Sequence, residues 1–517
     1  MWPSRINAWY MASKIYRNKY MASKIHRNKY TALKIPPSKC MLWRRLMSKG
    51  KTRKKGQILS AGPNKYVLDR LKEEVDEEDM ISKLPWEILV SIMCLLSTDE
   101  AARMSVLSRR WRKIWNTSIR IMPRLNFFLD RGWFPDIRPR DLEKKMRKRI
   151  IEVHQVLKLH KAHTLYEFSL ITFELTSRDS HHINAWLNFA AEKHVKELRL
   201  KLTSLMLYDA SFIADNFHFL RVLYLEGIYI TEDIVHRLFS NSPFLERFFL
   251  LNSDKLHRLS IVSAPNLKYL YIERCRGLQH LQISSSVENL GTIEINGGVN
   301  FESVNVSAPN LSHIILGIQS QVFKFDAYVT LLNQIKRLTI DVYADMISAA
   351  FRQIPEFSKL AHLELIMDNC SKITPIRCLL DILRAAPILK TFSFQDNKLS
   401  GHPAKDNALE WLHVHIPKKV ELDQNHACDY LKVVKFDNFA GCKYEVEVLL
   451  HLLEYAVSVE KIFIGLMDSS TWRDPEEWGH DYEDKFDNQY EELCIECAQQ
   501  LKTQILQMHP NVDVIIA

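Results

Sequence analysis

One hexapeptide pattern, L-x-x-L-x-L, constrains this chain more than any other feature. It appears as Leu220-Arg-Val-Leu-Tyr-Leu225, Leu245-Glu-Arg-Phe-Phe-Leu250, Leu267-Lys-Tyr-Leu-Tyr-Ile272 and Leu290-Gly-Thr-Ile-Glu-Ile295. Leu311-Ser-His-Ile-Ile-Leu316, Ile335-Lys-Arg-Leu-Thr-Ile340, Leu360-Ala-His-Leu-Glu-Leu365, Leu389-Lys-Thr-Phe-Ser-Phe394 and Leu431-Lys-Val-Val-Lys-Phe436 continue it. The first seven starts are 25, 22, 23, 21, 24 and 25 residues apart, and the last gaps of 29 and 42 leave room for insertions. A fixed period of that length marks stacked supersecondary units that share one core, a solenoid.

Each hexapeptide reads as a short strand. Side chains alternate across a strand, so the leucines face the core and the intervening residues line the opposite, concave face. Two columns result, one running from Val222 through Arg247, Tyr269, His313 and Arg337, the other from Tyr224 through Phe249 and Tyr271. Exposed aromatics beside an arginine are the composition of binding hot spots, so Tyr224, Arg247, Phe249, Tyr269, Tyr271, His313 and Arg337 are the candidate binding residues. Helical pieces such as Ile234-Val-His-Arg-Leu-Phe239 and Cys378-Leu-Leu-Asp-Ile-Leu-Arg384 are expected between strands, several units ending in a proline (Pro243, Pro265, Pro309, Pro387). Upstream, residues 142–160 and 183–190 have helical spacing, and residues 166–175 and 195–200 alternate as strands.

A different kind of block precedes the repeats, from Met80 to Trp115. Leu84-Pro85 sets an entry turn, and Pro85 suits a helix start because its missing N–H would be unpaired there. Ile88, Leu89, Ile92, Leu95 and Leu96 then form one broad apolar stripe. Ser97-Thr98-Asp99 supplies cap-type oxygens before a second helix, and Ser108 can cap a third that carries Trp111 and Trp115. Three helices in about 36 residues cannot bury their own apolar surface, which calls for a partner. The ordered positions Ile81-Ser82, Leu84-Pro85, Ile88-Leu89, Ile92, Leu96, Glu100-Ala101, Ser105 to Arg112 and Trp115 resemble the F-box. That resemblance implies docking onto a Skp-type adaptor, and through it a cullin, by Leu84, Pro85, Ile88, Leu89, Ile92, Leu96, Val106, Leu107 and Trp111.

The repeats look like an irregular leucine-rich repeat solenoid in which the usual asparagine ladder is mostly missing. With the phrases at residues 429–439, 445–456 and 459–464, residues 80 to 465 together resemble plant F-box and leucine-rich repeat proteins, particularly a cereal-type set. The implied fold is α/β, a small three-helix F-box followed by an irregular leucine-rich repeat solenoid. The implied function is substrate recognition for a ubiquitin ligase, the concave face holding a target protein. A scaffold without degradation is the alternative.

Charge divides the 517 residues further. Residues 1–68 hold 17 Lys or Arg and no Asp or Glu, so of the net +9 the rest of the chain carries +9 less 17, or −8. This basic arm contains tandem decapeptides starting at Tyr10, Tyr20 and Tyr30, too short for solenoid units, and reads as disordered. Its Lys49 to Lys55 cluster fits nuclear import or charge-driven contact with nucleic acid, although a solvated arm is the simpler reading. An acidic linker follows at 69–79, then the F-box at 80–119, a connecting region at 120–194, the repeats at 195–465, and an acidic loop with a terminal helix and strand at 466–517.

Nine cysteines, an odd and scattered set, read as free thiols in a reducing compartment, nucleus or cytoplasm. No run approaches the roughly 18 apolar residues of a membrane helix. Cys494-Ile-Glu-Cys497 lacks the second pair that a zinc site needs, and His413, His415, His426 and Cys428 read as ordinary polar packing. Neither a phosphate-binding loop nor a nucleophile elbow is present. No catalytic residue, metal or cofactor is expected.

Overall fold

The repeated hexapeptides build one long parallel sheet. In the computed structural model, which describes residues 84–129, 139–173, 175, 177–202, 208–299, 301–319, 323–343, 354–368, 376–397, 429–441, 443–466 and 483–517, fourteen strands hydrogen-bond in chain order. They begin with β1 (Arg124–Leu129), β2 (Glu167–Thr172), β3 (Glu197–Leu202), β4 (Val222–Glu226) and β5 (Arg247–Leu251). Numbering then passes through β6 (Arg258–Ile261), β7 (Tyr269–Glu273), β8 (His280–Ile283), β9 (Thr292–Asn296), β10 (Ser303–Val306) and β11 (His313–Ile318). The last are β12 (Arg337–Tyr343), β13 (His362–Asp368), β14 (Thr391–Asn397), β15 (Val433–Phe439), β16 (Lys461–Leu466) and β17 (Asp513–Ile516). The sheet therefore starts inside the stretch read as a connection and ends beyond residue 465. Phe127 and Leu125 already occupy core positions of the first unit, and Val514 of the last.

Strands β6, β8 and β10 stand apart from the main sheet. They pair in the order β10-β8-β6 as a second parallel sheet and occupy the return segments where helices were expected. Leu256-His-Arg-Leu-Ser-Ile261, Leu278-Gln-His-Leu-Gln-Ile283 and Phe301-Glu-Ser-Val-Asn-Val306 repeat the hexapeptide out of phase with the first set. Two such hexapeptides per unit let both walls be strands, and Leu259, Leu281 and Val304 meet the main-sheet leucines in one core.

A left-handed residue follows four successive strands: Gly227 (φ 69), Asn252 (φ 52), Arg274 (φ 50) and Gly297 (φ 73). Each turns the chain out of the sheet while its N–H bonds the next unit, Gly227 to Leu251 O at 3.0 Å and Asn252 to Glu273 O at 2.9 Å. A second series ties the other end. Asn266, Asn289 and Asn310 each donate their Nδ2 to a carbonyl of the preceding unit (Pro243, Pro265 and Glu288, at 2.9, 2.6 and 2.8 Å). These three asparagines stand just before the first leucine of their hexapeptides, a different position from the usual ladder, where Ser253 and Cys275 instead bond the preceding unit at Ile228 O and Leu250 O.

The amino-terminal block forms α1 (Trp86–Leu95), α2 (Thr98–Met104) and α3 (Arg109–Ser118). Pro85 is the N-cap of α1, one residue before the first helical position. Ser97 and Glu100 close a reciprocal capping box on α2, and the Ser108 side chain accepts from Trp111 N on α3. This block is fixed to the sheet. Asn126 N donates to Thr98 Oγ1 (2.9 Å), and Arg149 of α4 (Pro139–Leu159) reaches both oxygens of Asp99 at 2.9 Å and Phe128 O at 3.0 Å.

Candidate protein-interaction surfaces

Two surfaces remain open on this framework. The first is on the three helices. Their packing leaves Ile88 (47% exposed), Leu95 (70%), Val106 (72%) and Leu107 (49%) in solvent, together with Pro85. Arg110 Nη2 donates to Leu84 O at 2.7 Å and so draws the start of α3, just after Val106 and Leu107, against the start of α1. Apolar groups from two chain segments are thereby gathered at one end. Leu84, Ile92 and Leu96 are half-buried, whereas Leu89 and Trp111 are buried. These last two belong to the block's own core with Met93 and Ile114, because the stripe of α1 is wider than one contact and its inner edge packs on α3. Leu95 joins the exposed set although its sequence position placed it with the stripe.

The second surface is the concave face of the sheet. Register pairing aligns Val222, Arg247, Tyr269, Thr292, His313, Arg337, His362, Thr391 and Val433 across successive strands, and likewise Tyr224, Phe249, Tyr271 and Glu294 on to Lys435. The expected columns are therefore real. The four aromatics do meet, with the Phe249 ring 6.0 Å from Tyr224, 5.4 Å from Tyr269 and 5.6 Å from Tyr271. Yet Phe249 and Tyr271 are buried, and Tyr224, Arg247 and Tyr269 half-buried. Large rings on strands under 5 Å apart cover one another, which alternation alone does not reveal.

The tyrosine hydroxyls are also committed internally. Tyr224 donates to Glu226 Oε2 at 2.7 Å, Tyr271 to Glu273, and Tyr269 to Glu294. Glu226, Glu273 and Glu294 are buried, held further by Lys201 (2.9 Å to Glu226), Arg274 (2.9 Å to Glu273) and Asn296 (2.7 Å to Glu294). Burial, then the nearby carboxylates, push the Tyr224 and Tyr271 hydroxyls well above their ordinary range, so both stay protonated donors. Instead of the expected hot spot, the early units hold a closed ladder of aromatics and carboxylates.

Beyond this ladder the face opens and carries charges of both signs. His313 is half-buried, and Thr339 Oγ1 lies 3.0 Å from its Nε2 while donating to Glu364 Oε2 at 2.8 Å. One hydroxyl has one proton, so His313 Nε2 carries its own and the ring is neutral, with burial and then Arg337 holding its pKa down at about 4. Arg337 is exposed, as are Lys336, Lys390, Lys432, Lys435 and Lys461. Lys435, a member of the second column read from the sequence, lies on β15 and Lys461 on β16, whereas Lys336, Lys390 and Lys432 immediately precede β12, β14 and β15.

Other candidate groups are structural. Cys494 Sγ donates to Ala440 O at 3.2 Å and Cys497 Sγ approaches Gly441 O at 3.8 Å, docking the terminal helix Glu483–Met508. Among the described residues no group of three His, Cys, Asp or Glu is arranged to hold a metal, and no helix is long and apolar enough to cross a membrane. The basic arm, the acidic linker, His413, His415, His426, Cys428 and the acidic segment up to residue 482 lie outside the described residues, and from Glu483 on the stretch expected as an acidic loop is already part of the terminal helix.

Comparison with known proteins identifies the two parts of the chain that carry these surfaces. Residues 81–121 match the F-box domain model, and residues 204–508 match the model described as "At1g61320/AtMIF1, LRR domain". Two F-box/FBD/LRR-repeat proteins of Arabidopsis thaliana are similar. At1g13570 is 30% identical over 38% of this chain and 50% of its own length, and At5g56420 is 22% identical over 77% and 94%. The putative F-box/LRR-repeat protein At4g15060 of the same plant is 24% identical over 65% of this chain and 83% of its own length. The leucine-rich repeat model alone spans more than half of the residues, and with the F-box ahead of it the chain belongs to the plant F-box and leucine-rich repeat proteins of the At1g61320/AtMIF1 type.

Proposed function

We propose that this protein is the substrate-recognition subunit of an SCF-type ubiquitin ligase. The F-box would dock a Skp-type adaptor, and through it a cullin, while the sheet holds the target protein. The observation that carries the reading is the exposed apolar end of the F-box, built from Pro85, Ile88, Val106 and Leu107, on a block bolted to the first strand of a solenoid. Its contribution to ubiquitin transfer is proximity. A target lysine held near a charged ubiquitin carrier gains effective concentration, and the Arg149–Asp99 and Asn126–Thr98 bonds fix the distance between the two surfaces. No group of this chain needs to touch the reacting atoms. The reducing compartment inferred from the cysteines and the basic cluster at Lys49 to Lys55 suit work in the nucleus or cytoplasm.

Co-purification of the full chain with adaptor and cullin tests the proposal. Wild type should capture both, and the variant Ile88→Asp, Val106→Asp, Leu107→Asp neither. Equal capture by the two proteins, or none by wild type, would overturn it.

A further inference from the structure

The adaptor-docking reading leaves open what surrounds the apolar end of the F-box. From Ala101 to Leu129 the chain holds seven Lys or Arg and no Asp or Glu. Several of these cations share one helix face. At 3.6 residues per turn, Arg109, Arg112, Lys113 and Asn116 fall within about 100° of one another on α3, opposite the buried Trp111, Ile114 and Ser118. Arg120, four residues after Asn116 and just past the helix end, continues the stripe. Arg109, Arg112, Lys113 and Arg120 are all exposed, and among the described residues no carboxylate pairs with any of them. The helices packed on α3 offer few acids. On α1 there is Glu87; on α2, Asp99 is held by Arg149, and Glu100 closes the capping box with Ser97. Four cations against one uncommitted carboxylate make the outer face of α3 positive.

We propose that this stripe is the charged rim of the adaptor-docking surface, and that the adaptor presents carboxylates to Arg109, Arg112, Lys113 and Arg120. The proposal rests on the reading of the F-box as an adaptor site. Continuity selects the partner. Arg109 follows Leu107 by two residues and Arg110 pins the start of α3 to Leu84 O, so the stripe runs directly from the apolar end. An apolar centre bordered by charge is the anatomy of a protein–protein interface, in which opposite charges steer the encounter and the apolar groups hold the complex. A nucleic acid would use the cations and leave Ile88, Val106 and Leu107 uncovered. The stripe therefore sets how fast the adaptor arrives, and the apolar end how long it stays.

Association and dissociation rates of the purified full chain with purified adaptor test this. Arg112→Glu with Lys113→Glu should slow association about tenfold in about 50 mM salt and change dissociation less than about twofold; in about 500 mM salt most of the effect should vanish, because the charges are then screened. Arg112→Gln with Lys113→Gln, which removes charge without reversing it, should slow association about threefold. Lys336→Glu with Lys390→Glu makes the same change in net charge eight or more strands from β1, and should leave both rates unaltered. Melting temperatures check that each variant keeps its fold. An effect on dissociation alone, or one that salt does not reduce, would overturn the proposal. So would unchanged or faster association of the Glu double variant, the result expected if the acidic run at residues 73–79 or a nucleic acid occupies the stripe. Adaptor binding with unaltered rates would leave the ligase reading standing, whereas no binding by wild type would overturn both.

Discussion

Ile88 and Leu89 are adjacent in sequence and opposite in role, which makes them the sharpest test of the F-box geometry. Leu89 is fully buried and Ile88 is 47% exposed. Leu89→Ala removes buried methyl groups from the small core shared with Met93, Trp111 and Ile114, at about 2–5 kcal/mol. Ile88→Ala removes atoms that water already reaches, so its effect on stability should stay within about 0.5 kcal/mol. Binding reverses the order. Complete burial of such a side chain is worth about 1.5–3 kcal/mol, so covering the exposed half of Ile88 contributes about 1 kcal/mol, roughly fivefold in Kd. Adding Val106→Ala and Leu107→Ala, at 72% and 49% exposure, brings the loss to about 3 kcal/mol, or over a hundredfold if the three add. Thermal and urea unfolding, with calorimetric titration of purified adaptor, would give both quantities for each variant. If Ile88→Ala unfolded the block as readily as Leu89→Ala, or if the triple variant bound adaptor like wild type, the assignment of inner and outer faces would be wrong.

Three further outcomes follow from the repeats. His313, His362, His160 and His182 all have lowered pKa values, first through burial, so each takes up protons more readily unfolded than folded. Stability should then be full above the unfolded value near pH 6.5 and fall as pH drops towards 4; His313→Gln should flatten that fall, as melting curves across this range would register. Lys201→Ala removes the ion-pair partner of the buried Glu226 carboxylate and leaves it only the neutral donors Tyr224 and Asn252, so it should cost up to about 3–5 kcal/mol, more than the double variant Lys201→Ala with Glu226→Ala; urea titration of the three proteins checks the ordering. At Gly277 an added Cβ would sit 2.0 Å from Asp254 O of the preceding unit, so Gly277→Ala should lower the melting temperature sharply, while Gly298→Ala, which meets no neighbour within 4 Å, is burdened only by its backbone angle.

Periodicity made the sheet legible and made its ends and its second wall hard to read. The column from Val222 to Val433 could be written from leucine positions alone, since each register pair joins equivalent residues of neighbouring hexapeptides. The caps Ser97 and Ser108 were equally local, each a side-chain oxygen three residues before the N–H it accepts from. The return strands β6, β8 and β10 carried the same hexapeptide, but its second phase lay between the strands, where helical pieces were the general expectation. β1 was hidden, and β17, expected as a terminal strand, was not legible as part of the sheet, because their partners lie 38 or more residues away in sequence.

Burial is where sequence reasoning failed, and the failure relocates the candidate site. A residue's face follows from its position parity, but its exposure depends on the size of neighbours on adjacent strands. In the early units those neighbours are Tyr224, Phe249, Tyr269 and Tyr271, whose rings stack and whose hydroxyls lock the buried glutamates. In the later units the same positions hold Thr339, Ser393 and Thr391, too small to cover Arg337 and Lys435 in their columns. The aromatic half therefore stiffens the solenoid between the F-box and the more open later units. On the proposed reading, that stiffness sets how far a captured target stands from the ligase, since every strand between them shares one continuous sheet.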